Sequence, residues 1–167
     1  DRSLANAEFN LDRDVGLDIR SLDFAGLGWL RYYAGVFTNE GRDSLFPPDL
    51  GLLYVVRLEV LPLGLYNDYS EGDLDRTTTP RLSIGASYAF SDRAHLNRIT
   101  LGGIPGDGGT FSYHSAEADL AFSYAGFWLT SEVMWRDGWH APGPDMGTGN
   151  NTVRRGLGWY LQVGYLL

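Results

Sequence analysis

Arg81-Leu82-Ser83-Ile84-Gly85-Ala86-Ser87-Tyr88-Ala89-Phe90 is the stretch that decides the fold. Leu82, Ile84, Ala86, Tyr88 and Phe90 alternate with Arg81, Ser83, Gly85 and Ser87. A period of two places each set on its own face of a β-strand, whereas a helix would scatter both sets around its circumference. The run is also long. Ordinary strands average about five or six residues, and a strand that crosses a bilayer needs about 9–11.

The same period recurs on both sides, at about 14–24, 29–38, 51–61, 113–124, 127–136 and 156–167. Seven such segments predict an all-β chain with antiparallel strands. The content of the two faces suggests where it sits. Leu17, Val36, Val56, Ile84, Leu120, Val133 and Val163 fall on an aliphatic face, with aromatics such as Trp29, Trp135, Trp159 and Tyr165 expected near its borders. The opposite face carries charge, hydroxyls and glycine. A transmembrane barrel has its apolar band outside and its polar residues in a wet lumen. A soluble β-sandwich reverses this, and that sandwich, or a small ligand-binding barrel, is the alternative that alternation leaves open.

The connections fit the barrel. Ala25-Gly26-Leu27-Gly28 and Ala125-Gly126 are short glycine turns, and the links at about 39–50, 91–112 and 137–155 are long. Short turns at one end and long loops at the other are the pattern of outer-membrane barrels. The exception is the link from Pro62 to Pro80, which should be short and instead is long, acidic and glycine-punctuated. Closed bacterial barrels have an even number of strands. Residues 2–11 alternate too poorly to supply an eighth. The alternation also runs to Leu167 without a terminal aromatic. The chain therefore reads as one barrel segment, 1–167, incomplete at one or both ends.

Composition narrows the function. The 167 residues contain no cysteine, 13 basic residues that are all arginine, 21 acidic residues and a net charge of −8. Disulfide scaffolds and cysteine-ligated metals are excluded, and this charge opposes nucleic-acid binding. Glycine 22 and abundant aromatics argue against a helical domain. No stretch reaches the ~20 apolar residues of a transmembrane helix.

The expected lumen face holds Arg20, Arg31, Arg57, Arg81 and Arg136 together with Asp14, Asp18, Glu59, Glu117, Asp119 and Glu132. Arginine can contact oxyanions bidentately while keeping its charge, and a pore works through weak, multiple contacts in continuous water. The same groups can instead pair between strands and serve the wall alone. The mixed signs argue against a strongly anion-selective wall. The reading is a diffusion channel for small hydrophilic solutes, with anion preference open. Gly16, Gly35, Gly85, Gly158 and Gly164 on that face either thin the wall or permit sheet curvature.

Enzyme chemistry finds little support, and no catalytic residue, cofactor or metal site is expected. His114 and Ser115 are neighbours on a strand and must point to opposite faces. His95, His114 and His140 lack metal-ligand spacing. Gly102–Gly109 lacks the Gly-Lys-Ser/Thr ending of a phosphate loop. Asp68, Glu71, Asp73 and Asp75 could offer oxygens to calcium, but their spacing misses the EF-hand pattern, so a solvated acidic turn is expected.

An ordered set of local motifs carries a resemblance. It runs Arg2-Ser3-Leu4, Phe9, Arg13-Asp14-Val15-Gly16, then Ala34-Gly35-Val36-Phe37-Thr38-Asn39 with Glu40-Gly41-Arg42. Next come Arg57-Leu58-Glu59, Leu61-Pro62-Leu63-Gly64 and Glu71-Gly72-Asp73, and finally 158–165, Gly-Trp-Tyr-Leu-Gln-Val-Gly-Tyr. Together these resemble the phosphate-selective porin O and P family. The resemblance implies a middle portion of a sixteen-stranded barrel in the bacterial outer membrane. Such a barrel is usually a homotrimer, sits among lipid and lipopolysaccharide, and passes small anions. A structural barrel component of an envelope assembly, with no transport of its own, is the remaining alternative.

Overall fold

A computed structural model describes residues 8–9, 11–41, 51–66, 73–74, 76–147, 149 and 151–167. Among them are seven strands: β1 Gly16–Ser21, β2 Leu30–Phe37, β3 Leu53–Val60, β4 Arg81–Ala94, β5 Thr110–Tyr124, β6 Phe127–Ala141 and β7 Gly156–Tyr165. They form one antiparallel sheet in the order β1-β2-β3-β4-β5-β6-β7. The sheet is open. β1 and β7 each pair on one side only. The all-β antiparallel architecture read from the alternation is the one observed. Of 2–11, weighed as a further strand, only Glu8, Phe9 and Leu11 are described, and none lies in a strand.

The strand extents differ from the pattern. β1 is shorter than 14–24, because Asp14 turns aside to accept hydrogen bonds from Thr38 Oγ1 and the Asn39 N–H, both at 2.6 Å. β4, β5 and β6 run past Phe90, Tyr113 and Arg136 to lengths of 14, 15 and 15 residues. Charged and polar residues such as Asp92, Arg93, Asp137 and His140 enter the strands there, so the apolar–polar period stops. Leu53, Ala89, Ile99, Phe111 and Tyr113 form a small core at that end, joined by Leu11, Phe37 and Val153.

Burial is inverted relative to a water-soluble sheet. Leu17 is 84% exposed and Leu58 57%, while Arg31 on the other face is only 6% exposed and Arg136 2%. Cross-strand register puts all seven aliphatic residues expected to face lipid on the same exposed face. Among the described residues no second layer covers it. Tyr165 lies at the turn end of that face, opposite Phe127, whereas Trp135 and Trp159 sit further along it and Trp29 precedes β2.

Turn chemistry explains the short connections. Ala125 and Gly126 have φ 51° and 89°, the double positive φ of a type I′ hairpin turn. Between β1 and β2 a 3₁₀ turn at Phe24–Gly26 is closed by the Gly28 N–H donating to Asp23 Oδ1 at 2.7 Å. At the long-loop end Asn39 is fully buried. It donates to the Asp92 carbonyl at 2.9 Å and accepts from Ser91 Oγ at 2.9 Å. Next to it, burial pushes the Glu40 carboxyl up, partly offset by His95 Nδ1 at 2.9 Å. The Thr38-Asn39-Glu40 motif thus clamps two loops together.

Candidate functional site

The polar face is built rung by rung. One rung runs Arg31, Glu59, Gly85, Asp119, Glu132, Tyr160 across β2 to β7. The next toward the long loops runs Arg20, Tyr33, Arg57, Ser87, Glu117, Met134 from β1 to β6. Asp18 and Arg136 lie on the rung beyond, and Arg81 lies at the turn end opposite Ser123. The register therefore places ten of the eleven expected lumen charges on one face, and Asp14 lies ahead of β1.

Several of them are paired. Arg57 reaches over β4 and holds Asp119 bidentately, Nη1 to Oδ2 at 2.6 Å and Nη2 to Oδ1 at 3.0 Å. Gly85 lies between them. A Cβ there would sit 2.3 Å from Asp119 Oδ2 and 2.4 Å from Arg57 Nη2. Arg31 Nη1 lies 3.3 Å from Glu59 Oε1 and its Nε donates to the Leu22 carbonyl at 3.2 Å. Ser83 Oγ donates to the same Glu59 oxygen at 2.9 Å. Arg20 pairs with Asp18 two residues away, 2.8 Å in both contacts, and lies over the Tyr33 ring.

Glu117, Glu132 and Arg136 are not compensated in this way. Among the described residues no arginine lies within ion-pair distance of Glu117 or Glu132. Glu132 is the register partner of Asp119, so like charges face each other on β5 and β6. Arg136 is buried, and among the described residues no carboxylate lies within ion-pair distance of it. Its Nη1 and Nη2 donate to the Glu8 and Phe9 carbonyls at 3.3 and 2.9 Å, and it lies over the rings of Phe9 and Tyr113. Two hollows open on this face. One of about 420 Å³ is lined by Phe9, Tyr33 and Met134, the other of about 340 Å³ by Tyr66, Asp119 and Gln162. Arg57 and Glu117 border both.

The long link between β3 and β4 contributes two residues that the alternation could not reveal. Tyr66 accepts from Arg31 Nη2 through its carbonyl, and its ring lies under the Arg81 guanidinium at 5.7 Å. Burial pushes the Tyr66 phenol up, and the charge of Glu59 adds to it. Asp73 caps the β5–β6 turn. It accepts from the Gly126 N–H at 2.7 Å and from the Thr77 N–H at 3.0 Å. Burial works against its ionisation, but those backbone donors outweigh it and hold the carboxyl below its usual range. Of the four residues weighed for calcium, Asp73 is thus a cap, and Asp68, Glu71 and Asp75 lie outside the described residues.

The His114–Ser115 pair divides as its spacing requires. His114 faces Phe90 and Asp137 on the apolar side, and Ser115 faces Ala89 and Arg136 on the polar side. The glycine-rich 102–109 segment is a loop, tied to the 142–155 loop by Gly106 N donating to the Gly149 carbonyl at 2.5 Å. Among the described residues no three His, Asp or Glu side chains converge as metal ligands. No protein-family model, curated protein or solved structure matches the chain.

Proposed function

We propose that this chain is part of an outer-membrane β-barrel through which small hydrophilic solutes diffuse passively. One observation carries the reading: a continuous exposed apolar face backed by a charged one whose Arg31, Glu59 and Arg136 are buried. The apolar band has the right height. On β6 the outward residues stay uncharged from Phe127 to Trp135, nine positions, and the next outward residue is Asp137. On β5 they do so from Tyr124 back to Ala116, again nine positions, before His114. A bilayer-spanning strand needs about 9–11. The motif resemblance to phosphate-selective porins points the same way and adds a trimer to the proposal.

The charge pairing bears on selectivity. Arg31 and Arg57 are neutralised by Glu59 and Asp119, so neither is a free anion step on the wall. The channel we propose discriminates weakly by charge. A second reading, a barrel with no transport of its own, is favoured by Phe9 and Leu11 lying over the polar face at the long-loop end. Reconstitution of the full-length protein into planar bilayers separates the two. Stepwise conductance with a small reversal potential in a salt gradient supports diffusion. Absence of steps from inserted protein supports the structural reading. A protein monodisperse without detergent would remove the membrane assignment altogether.

A further inference from the structure

Three polar-face residues of β6, Trp128, Thr130 and Glu132, stand opposite Gly164, Gln162 and Tyr160 of β7. The glycine makes room for the indole. A Cβ on Gly164 would run into Trp128 Nε1, Cε2 and Cζ2, so one face of the ring covers the β7 backbone there. The other face turns to the hollow of about 340 Å³, which Thr130, Glu132, Tyr160 and Gln162 also line. From Trp128 to Glu132 the track spans about 13 Å, four residues of extended strand. Among the described residues, no side-chain hydrogen bond or ion pair engages Thr130, Glu132 or Gln162. The hollow therefore offers a hydroxyl, a carboxylate and an amide, all uncommitted, in line with one aromatic face.

We propose that this track is a binding step for a neutral saccharide on its way through the channel. The inference rests on the diffusion reading above and names its solute. The C–H side of a pyranose is slightly positive and packs on the negative face of the Trp128 ring. Its hydroxyls donate to the Glu132 carboxylate, and such charge-assisted bonds are roughly twice as strong as neutral ones. Gln162 both donates and accepts, and Thr130 does so through one oxygen, so each can meet a hydroxyl that is donor and acceptor at once. Other solutes fit this wall less well. An anion meets Glu117, Asp119 and Glu132, while the guanidinium that borders the hollow, Arg57, is already held bidentately by Asp119. An organic cation would use Glu132 and leave idle the amide and hydroxyl that lead to the indole. The hollow lies at the small end of the ~300–1,000 Å³ of small-molecule sites. A few contacts of this kind let a solute leave as readily as it enters.

The test records current through the full-length protein in planar bilayers while sucrose is added. Wild-type current should fall saturably, with longer interruptions than a polyethylene glycol of matching size causes. Trp128→Leu keeps apolar volume and removes the flat ring, and Glu132→Gln keeps the shape and removes the charge. Each should need about tenfold more sucrose for half block, the scale of one stacked ring or one charge-assisted hydrogen bond. Trp128→Tyr should retain most of the block, and Leu58→Ala, on the exposed apolar face, should match the wild type. Should Trp128→Leu fail to insert, Glu132→Gln decides alone. Equal sucrose block of all these proteins, or block no stronger than the polymer gives, overturns the proposal. So does lysine or inorganic phosphate blocking at lower concentration than sucrose, which would make the track a cation or an anion site. Conductance steps that sucrose leaves untouched sink this inference only. Absence of steps from inserted protein overturns the diffusion reading and this inference with it.

Discussion

Arg57 on β3 grips Asp119 on β5 across the whole width of β4, and Gly85 is the residue that leaves the path open. Two strands that share no backbone hydrogen bond are thereby joined. Gly85→Ala should drive the two side chains apart rather than shift the sheet, since the atoms met first belong to the ion pair. We expect a loss of about 1 kcal/mol, the scale of a bidentate pair that is partly solvated. A double-mutant cycle by urea unfolding in vesicles checks the cause: in an Arg57→Ala background the Gly85→Ala penalty should vanish. Additive penalties would mean that the glycine serves sheet curvature alone.

Arg31 and Glu59 are a buried pair, and breaking such a pair costs more than forming it gains. Arg31→Ala should destabilise the sheet by about 3 kcal/mol, because the buried Glu59 carboxylate loses the guanidinium that compensates its charge. Replacing both with apolar residues of similar size, Arg31→Met with Glu59→Leu, should recover most of that loss. The unfolding midpoints of the three proteins decide it.

Asp73 ties the β3–β4 link to the β5–β6 turn in a pH-dependent way. Its folded-state pKa lies below the unfolded one, so its contribution is present above the unfolded value of about 3.9 and fades as pH falls through the folded value. Protection of the Gly126 and Thr77 amides against exchange, relative to the intrinsic rate at each pH, should fall below about pH 4. In Asp73→Asn the exchange should be fast at neutral pH and lose that acid step. A step that persists in the variant would assign it to another carboxylate.

Ala125 occupies a left-handed backbone conformation at φ 51° that suits asparagine better. Ala125→Asn creates the Asn-Gly pair that type I′ turns prefer. A stabilisation of about 0.5–1 kcal/mol is expected, because the asparagine side chain can hydrogen-bond locally to the backbone in this conformation. An unchanged or lower unfolding midpoint would show that the turn is held from outside, by Asp73.

Val133 and Glu132 are chain neighbours on opposite faces of β6. In a bilayer Val133→Arg should cost about 2–4 kcal/mol if the residue lies near the midplane. Glu132→Arg, facing Asp119, should be tolerated or favourable. Vesicle-embedded unfolding of both variants measures the contrast, and equal costs would contradict the assignment of faces.

The architecture was largely legible because a half-buried strand writes its two faces directly into alternate residues. Arg81 to Phe90 alone supplies the period, and the same period placed every expected lumen charge but Asp14 on one face. What escaped has two physical causes. Beyond Phe90 the chain reads Ser91-Asp92-Arg93-Ala94, where two charged residues follow one another and the alternation stops although the strand continues. The partnerships of Arg57, Arg31 and Arg136 depend on register and on irregular segments. Nothing local in Tyr66 or Phe9 marks them as neighbours of arginines on β2, β4 and β6. Gly85 looked like one wall glycine among several until the strands on either side were aligned.

The strand order has a kinetic consequence. Every strand bonds only to its neighbours in the chain, so no pairing has to wait for a distant segment to arrive. The β5–β6 hairpin, closed by two residues, pays the smallest loop entropy and can form first. Growth from it can proceed one strand at a time in both directions, with the β3–β4 link as the slowest closure among the strands described. Each intermediate then exposes just two rows of unpaired backbone groups, however many strands have already been added.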